Sequence, residues 1–168
     1  MNNTIKKLRK GQQGFTLIEL GIVVAVIAIL ATSIIIGKGM INSSKLAKAT
    51  EGIDTLKKAV VILAGRQGGE VSATNNVLPT LGSRELIKLH GNVVRLAGEQ
   101  FQATNLELRK GSHAQPEQMV LRVKVPDSTL SADLHTALAK DSHYYSNTSN
   151  CKTSYAGGQT TVCFSNLI

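Results

Sequence analysis

Glu19 is the residue whose surroundings most need a chemical reason. Residues 15–37 read FTLIELGIVVAVIAILATSIIIG, and Glu19 is the only charge among them. The 18 residues from Leu20 to Gly37 carry none. A carboxylate inside so apolar a stretch is costly to place in a bilayer, so such groups are usually paired or functional. Cys151 and Cys163 are the only cysteines, and no CxxC accompanies them. Two thiols at that spacing make a poor zinc site, and the chain is expected to hold no metal. His90, His113, His135 and His143 are scattered without a metal-ligand spacing. No GxSxG, P-loop or GxGxxG occurs, so no catalytic residues, cofactor or enzymatic activity are expected.

The elements that must position Glu19 come first in the chain. Lys6, Lys7, Arg9 and Lys10 precede the apolar run, with no acid among residues 1–14. The apolar stretch would span roughly 34 Å as a helix, enough to cross a bilayer. Basic residues before it place the N-terminus in the cytoplasm and the bulk of the chain outside. An ordinary secretory signal has a shorter apolar region that ends in a small-residue cleavage site. Here the run is longer, and Gln12, Gln13 and Gly14 separate it from the basic residues.

The segment Gly14-Phe15-Thr16-Leu17-Ile18-Glu19 resembles the class III signal sequence of type IV prepilins and pseudopilins. A basic leader, Gly at the cut, Phe at the start of the mature chain, Glu as its fifth residue and a long aliphatic helix all match. The resemblance implies cleavage between Gly14 and Phe15 by a prepilin peptidase, and N-methylation of Phe15. It also implies assembly through Glu19, whose carboxylate would pair with the Phe15 ammonium of a neighbouring subunit. Many type IVa pilins have a proline about 22 residues into the mature helix. Here that position is Ile36, and Gly37 and Gly39 nearby are weak helix formers that could supply flexibility instead of a kink.

The resemblance implies an α+β fold. A long N-terminal helix, apolar in its first half and amphipathic in its second, would pack on a small antiparallel head. The expected division is a leader at 1–14, a polymerisation helix at 15–37, its amphipathic continuation at 38–65, and a head at 66–168. Leu46, Ala49, Ile53, Leu56, Val60 and Leu63 form an apolar stripe at helical spacing. The helix is expected over 15–64, with Gly65 and Gly68-Gly69 ending it. Residues 66–82 read as a loop, after which Ser83 would cap a short helix over 84–89. Alternation predicts strands around Leu106 and Leu108, and from Met119 to Val125. GSHAQPE, residues 111–117, reads as the hairpin loop between them. Ser131 would cap another short helix carrying Leu134 and Leu138. His143-Tyr144-Tyr145 reads as a packed strand or turn in preference to a receptor-binding cluster.

At the C-terminus, a three-residue loop Ala156-Gly157-Gly158 would set Tyr155 opposite Gln159. Counting outward, Cys151 then faces Cys163. With export to an oxidising compartment, this predicts a Cys151–Cys163 disulfide.

Composition narrows the function classes. With no Trp and six Phe and Tyr among 168 residues, a base-stacking surface or aromatic-lined pocket is poorly served. The formal charge is +8, but four of those charges lie in residues 1–14. Residues 66–168 show no extended run of Lys and Arg, so a nucleic-acid partner is unsupported. The expected function is a structural subunit of a type IV pilus, a helical homo-oligomer serving adhesion, motility or DNA uptake. The alternatives are a pseudopilin of a type II secretion system and a specialised minor pilin for DNA capture or adhesion. The expected partners are the prepilin peptidase and the inner-membrane assembly machinery. The expected location is the inner membrane before assembly and an extracellular fimbrium after it.

Overall fold

A computed structural model describes residues 15–68, 73–110, 118–145, 151–165 and 167, with the side chains of 35–38 excepted. Helix α1 runs Leu17–Arg66. The chain divides into two compact units, Met1–Met40 and Ile41–Ile168.

In the first unit the described residues from Phe15 to Ile34 are all exposed. Val and Ile dominate here, and β-branched residues are only moderate helix formers in water. An apolar medium reverses that balance, because a helix satisfies its backbone groups internally. Two of the three hydroxyls of this stretch are satisfied by the helix backbone. Thr32 Oγ1 and Ser33 Oγ both donate to the Ile29 carbonyl, at 2.8 and 2.9 Å.

The second unit has its own core. Ala49, Ile53, Leu56, Ala59, Val60, Leu63 and Ala64 of α1 are buried in it. Leu46, at the start of the predicted stripe, is partly buried. These residues pack with one face of an antiparallel sheet, so the long helix and sheet form an α+β arrangement consistent with the type IV pilin fold. The strands are β1 (Val94–Ala97), β2 (Phe101–Arg109), β3 (Gln118–Lys124), β4 (Tyr144–Tyr145), β5 (Tyr155–Ala156) and β6 (Gln159–Ser165). Their order is β1-β2-β3-β6-β4, with β5 also paired to β6. The register aligns Leu106 with Leu121 and Leu108 with Met119. It also aligns Leu121 with Val162 and Met119 with Phe164, so these side chains share the face covered by α1. On the opposite face, Val120, Cys151 and Cys163 form a second, smaller cluster.

Two short helices complete the head. Helix α2 (Leu78–Ser83) begins with Pro79 in its first turn and buries Leu78 and Leu81. Asn76 Oδ1 accepts from Leu78 N at 3.2 Å and from Leu106 N at 3.3 Å, tying the start of α2 to β2. Helix α3 (Ser128–Leu138) is capped by Asp127, whose side chain accepts from Leu130 N at 2.8 Å.

Several sequence expectations need correction. The stretch 66–82 contains most of α2, and Ser83 ends that helix instead of starting another. Glu85, with φ of 57°, has left the helical region, so no helix follows over 84–89. Ser131 lies inside α3, where it is buried and bonded to Thr160, and the cap falls to Asp127. Helix α1 ends at Arg66, two residues beyond the expected Ala64. The expected loop at 111–117 lies outside the described residues.

The C-terminal hairpin is shifted by one position. Tyr155 pairs with Thr160 and Ala156 with Gln159, leaving a two-residue loop, Gly157-Gly158. Both glycines have positive φ, 57° and 73°, the conformation that a tight two-residue hairpin loop demands. Cys163 therefore aligns with Tyr145 of β4, not with a strand residue at 151. Cys151 lies outside the strands, yet the two cysteines are joined in a disulfide with Cα atoms 6.4 Å apart.

Candidate functional site: the helix start and the disulfide edge

At the start of α1 the local geometry assigns Glu19 a role within its own chain. Thr16 precedes the first helical residue, Leu17, and Glu19 is the third residue of the helix. Glu19 Oε2 accepts from Thr16 N at 2.9 Å and from Thr16 Oγ1 at 2.9 Å. Thr16 Oγ1 in turn lies 3.3 Å from Glu19 N, completing a reciprocal capping box. The carboxylate also sits in the first turn, where the helix dipole favours a negative charge. Thr-x-x-Glu is the sequence signature of this cap, and it was readable at 16–19 without any structure.

Both bonds to Thr16 fall on Oε2. A second carboxylate oxygen is not used by the capping box, and a carboxylate accepts several hydrogen bonds at once. The arrangement can therefore hold the helix start and still receive a cationic donor. Phe15 lies one residue before the cap and is 87% exposed. Gly14 lies outside the described residues.

A model of the prokaryotic N-terminal methylation motif matches residues 9–35. This chain carries the class III signal peptide of type IV pilins. The match takes in Gly14, Phe15 and Glu19 and most of the apolar run, and it points to a structural subunit of the pilin or pseudopilin kind. Comparison with curated proteins and with solved structures finds no match. Helix α1 is long and apolar enough to cross a membrane, which fits anchoring through the signal peptide.

The head also holds a polar network. His135 of α3 bonds through Nδ1 to the Tyr144 hydroxyl of β4, and through Nε2 to Thr160 Oγ1 of β6 at 2.8 Å. Burial pushes the His135 imidazole below its ordinary value and the Tyr144 phenol up to about 12. Lys57 of α1 pairs with Asp141 and lies 5.0 Å from the centroid of the Phe164 ring. Burial raises the Asp141 carboxyl, but bonds from Lys57 and from His143 N outweigh it and hold the group below its ordinary value. His143, Tyr144 and Tyr145 are half-buried, as a packed strand requires. His90 lines a separate surface cavity of about 330 Å³ with Lys88 and Arg95. Among the described residues no group of three metal ligands is assembled.

Proposed function

We propose that this chain is the precursor of a structural subunit of a type IV pilus. A prepilin peptidase cuts between Gly14 and Phe15 and methylates the new Phe15 amine. The helix over 15–37 holds the subunit in the inner membrane with its N-terminus cytoplasmic, and the residues after it form the extracytoplasmic part. The subunit then leaves the bilayer and joins a helical homo-oligomer on the cell surface, delivered by the inner-membrane assembly machinery.

One observation carries this reading. An apolar helix whose described side chains from Phe15 to Ile34 are all exposed begins with an acid held in its own first turn. Among the described residues, the buried cluster of the second unit begins at Ala49. Such a helix requires an apolar environment, first lipid and then the same helices of other copies. The capping box lowers the cost of carrying Glu19 into lipid, since the carboxylate brings two hydrogen bonds with it. Pairing with the Phe15 ammonium of a neighbour then adds a charge partner and fixes the register of docking.

Electron microscopy of wild-type and deletion strains, with antibody against the head, tests this reading. Labelled surface fibres that vanish on deletion support it. A chain that stays in the inner membrane, with fibres unchanged and secretion lost, would instead mark a pseudopilin.

A further inference from the structure

Strand β4 is a weak edge. Among the described residues it contains two, aligned Tyr144–Phe164 and Tyr145–Cys163 with β6, and just before it the His143 carbonyl accepts from Ser165 N at 2.9 Å. A ladder this short supplies little stability by itself. Tyr144 ties it to α3 through a bond to His135, reinforced by ring contacts. The His135 and Tyr144 centroids are 5.9 Å apart, and the Tyr144 and Phe164 centroids 5.8 Å.

The chemistry of the imidazole makes this tie conditional. A neutral ring offers one N–H and one lone pair, and its two hydroxyl partners take one each. An imidazolium offers two N–H groups and no lone pair. Whichever hydroxyl donates to the neutral ring, Tyr144 or Thr160, loses its acceptor when the ring is protonated. Thr160 is fully buried and already bonded to Ser131 at 2.8 Å, so the network has little room to rearrange around it.

We propose that His135 makes the junction of α3, β4 and β6 acid-labile: its neutral ring ties the three elements together, and protonation leaves one of its two hydroxyl partners without an acceptor and so loosens the β4 edge. The two hydrogen-bond partners of the ring bring no negative charge to offset the new one. β4 presents the Tyr144 phenol and β6 the Thr160 hydroxyl, neither of them ionised near neutrality. From α1, Lys57 is already paired with Asp141 in the turn before β4. His143 in that turn lies 3.2 Å from Asp141. The linkage sign follows from the lowered folded value of His135. Below 6.5, the ordinary histidine value, the opened edge binds a proton that the closed edge resists. Closure therefore weakens as pH falls through that value. The loosened edge adjoins the disulfide, so the surface that changes is the one the C-terminal segment builds.

The test is hydrogen exchange on the full chain in detergent micelles at pH 7.5 and 5.5, corrected for intrinsic exchange. The Tyr144 and Tyr145 amides of the wild type should open up to about tenfold more at pH 5.5, the limit for one proton over that interval. His135→Gln should show no such dependence. Equal opening at both pH values in the wild type, or an undiminished dependence in His135→Gln, overturns the proposal. Should that variant misfold, proton NMR titration of the His135 ring in the wild type decides. A midpoint below 6.5 supports the latch, and one at or above 6.5 refutes it.

Discussion

Reducing the Cys151–Cys163 bond should remove a large share of the stability of the head. The two cysteines are 12 residues apart in sequence. In the chain-entropy model, closing a loop of that size lowers the entropy of the unfolded chain by about 10 cal/mol/K, or about 3 kcal/mol at 25 °C. Small domains are stable by only about 5–15 kcal/mol, so this contribution is substantial. Among the described residues, β4 and β5 contribute two residues each, and the buried disulfide cluster is Val120 and the two cysteines, with Tyr145 packed against it. With a urea dependence of about 1.5–3 kcal/mol/M, the unfolding midpoint should fall by about 1–2 M. Tyrosine fluorescence is the appropriate probe, because the three tyrosines are Tyr144, Tyr145 and Tyr155, all on strands paired with β6. Urea titrations of the full chain in detergent, with and without reductant, give the comparison. The Cys151→Ala/Cys163→Ala variant should match the reduced protein. A midpoint that moves by less than about 0.3 M would refute the loop-closure reasoning.

Further outcomes follow from the same geometry. Glu19→Gln keeps an acceptor for Thr16 but removes the charge, so it should insert and be cut normally yet fail to enter fibres. Thr16→Ala keeps the charge and should assemble, and fibre-to-membrane ratios measured by immunoblot separate the two roles of Glu19. Gly52→Ala should destabilise the head by about 1 kcal/mol. Its new Cβ would stand 2.9 Å from Leu96 Cδ2 and 3.1 Å from Leu96 Cα, and the second contact is backbone that cannot swing away. Overpacking of about 1–3 kcal/mol then outweighs a helix-propensity gain of about 1 kcal/mol, which thermal denaturation would detect. Asp141 is held below its ordinary 3.8, so its pairing with Lys57 supports the fold above that value and is lost as pH falls through the lower folded value. Asp141→Asn should therefore flatten the acid limb of a stability-against-pH curve below about pH 4.

What the sequence disclosed depended on the range of the interactions involved. The stripe from Leu46 to Leu63 was legible because one helix face repeats the same demand every three or four residues. The alternation at Leu106, Leu108, Met119, Leu121 and Val123 was legible for the corresponding reason in strands. The edges were not. β1 and β4 have four and two residues, too few to show a period, and their place is fixed by neighbours distant in the chain. The hairpin register turned on whether Ala156 belongs to the loop, and two positive-φ glycines sufficed without it. The disulfide pairing survived that error, since Cys151 lies beyond the short β5 ladder and does not depend on its register. Ser131 looked like a cap because serine suits that role, but Asp127 stands four residues earlier and Ser131 is drawn inward by Thr160. At the functional end, Thr16 was legible as half of a capping box, whereas the His135 network required α3, β4 and β6 to be brought together.

The central claim is that residues 1–14 are a leader and that Phe15 begins the working subunit. Intact-mass and N-terminal peptide mass spectrometry of protein isolated from cells tests it most directly. The account predicts a chain that starts at Phe15 and carries one methyl group on its α-amine, with Gly14→Ala blocking the cut. A mature protein that retains Met1, or one cleaved near Ala31 as an ordinary secretory signal would be, contradicts it.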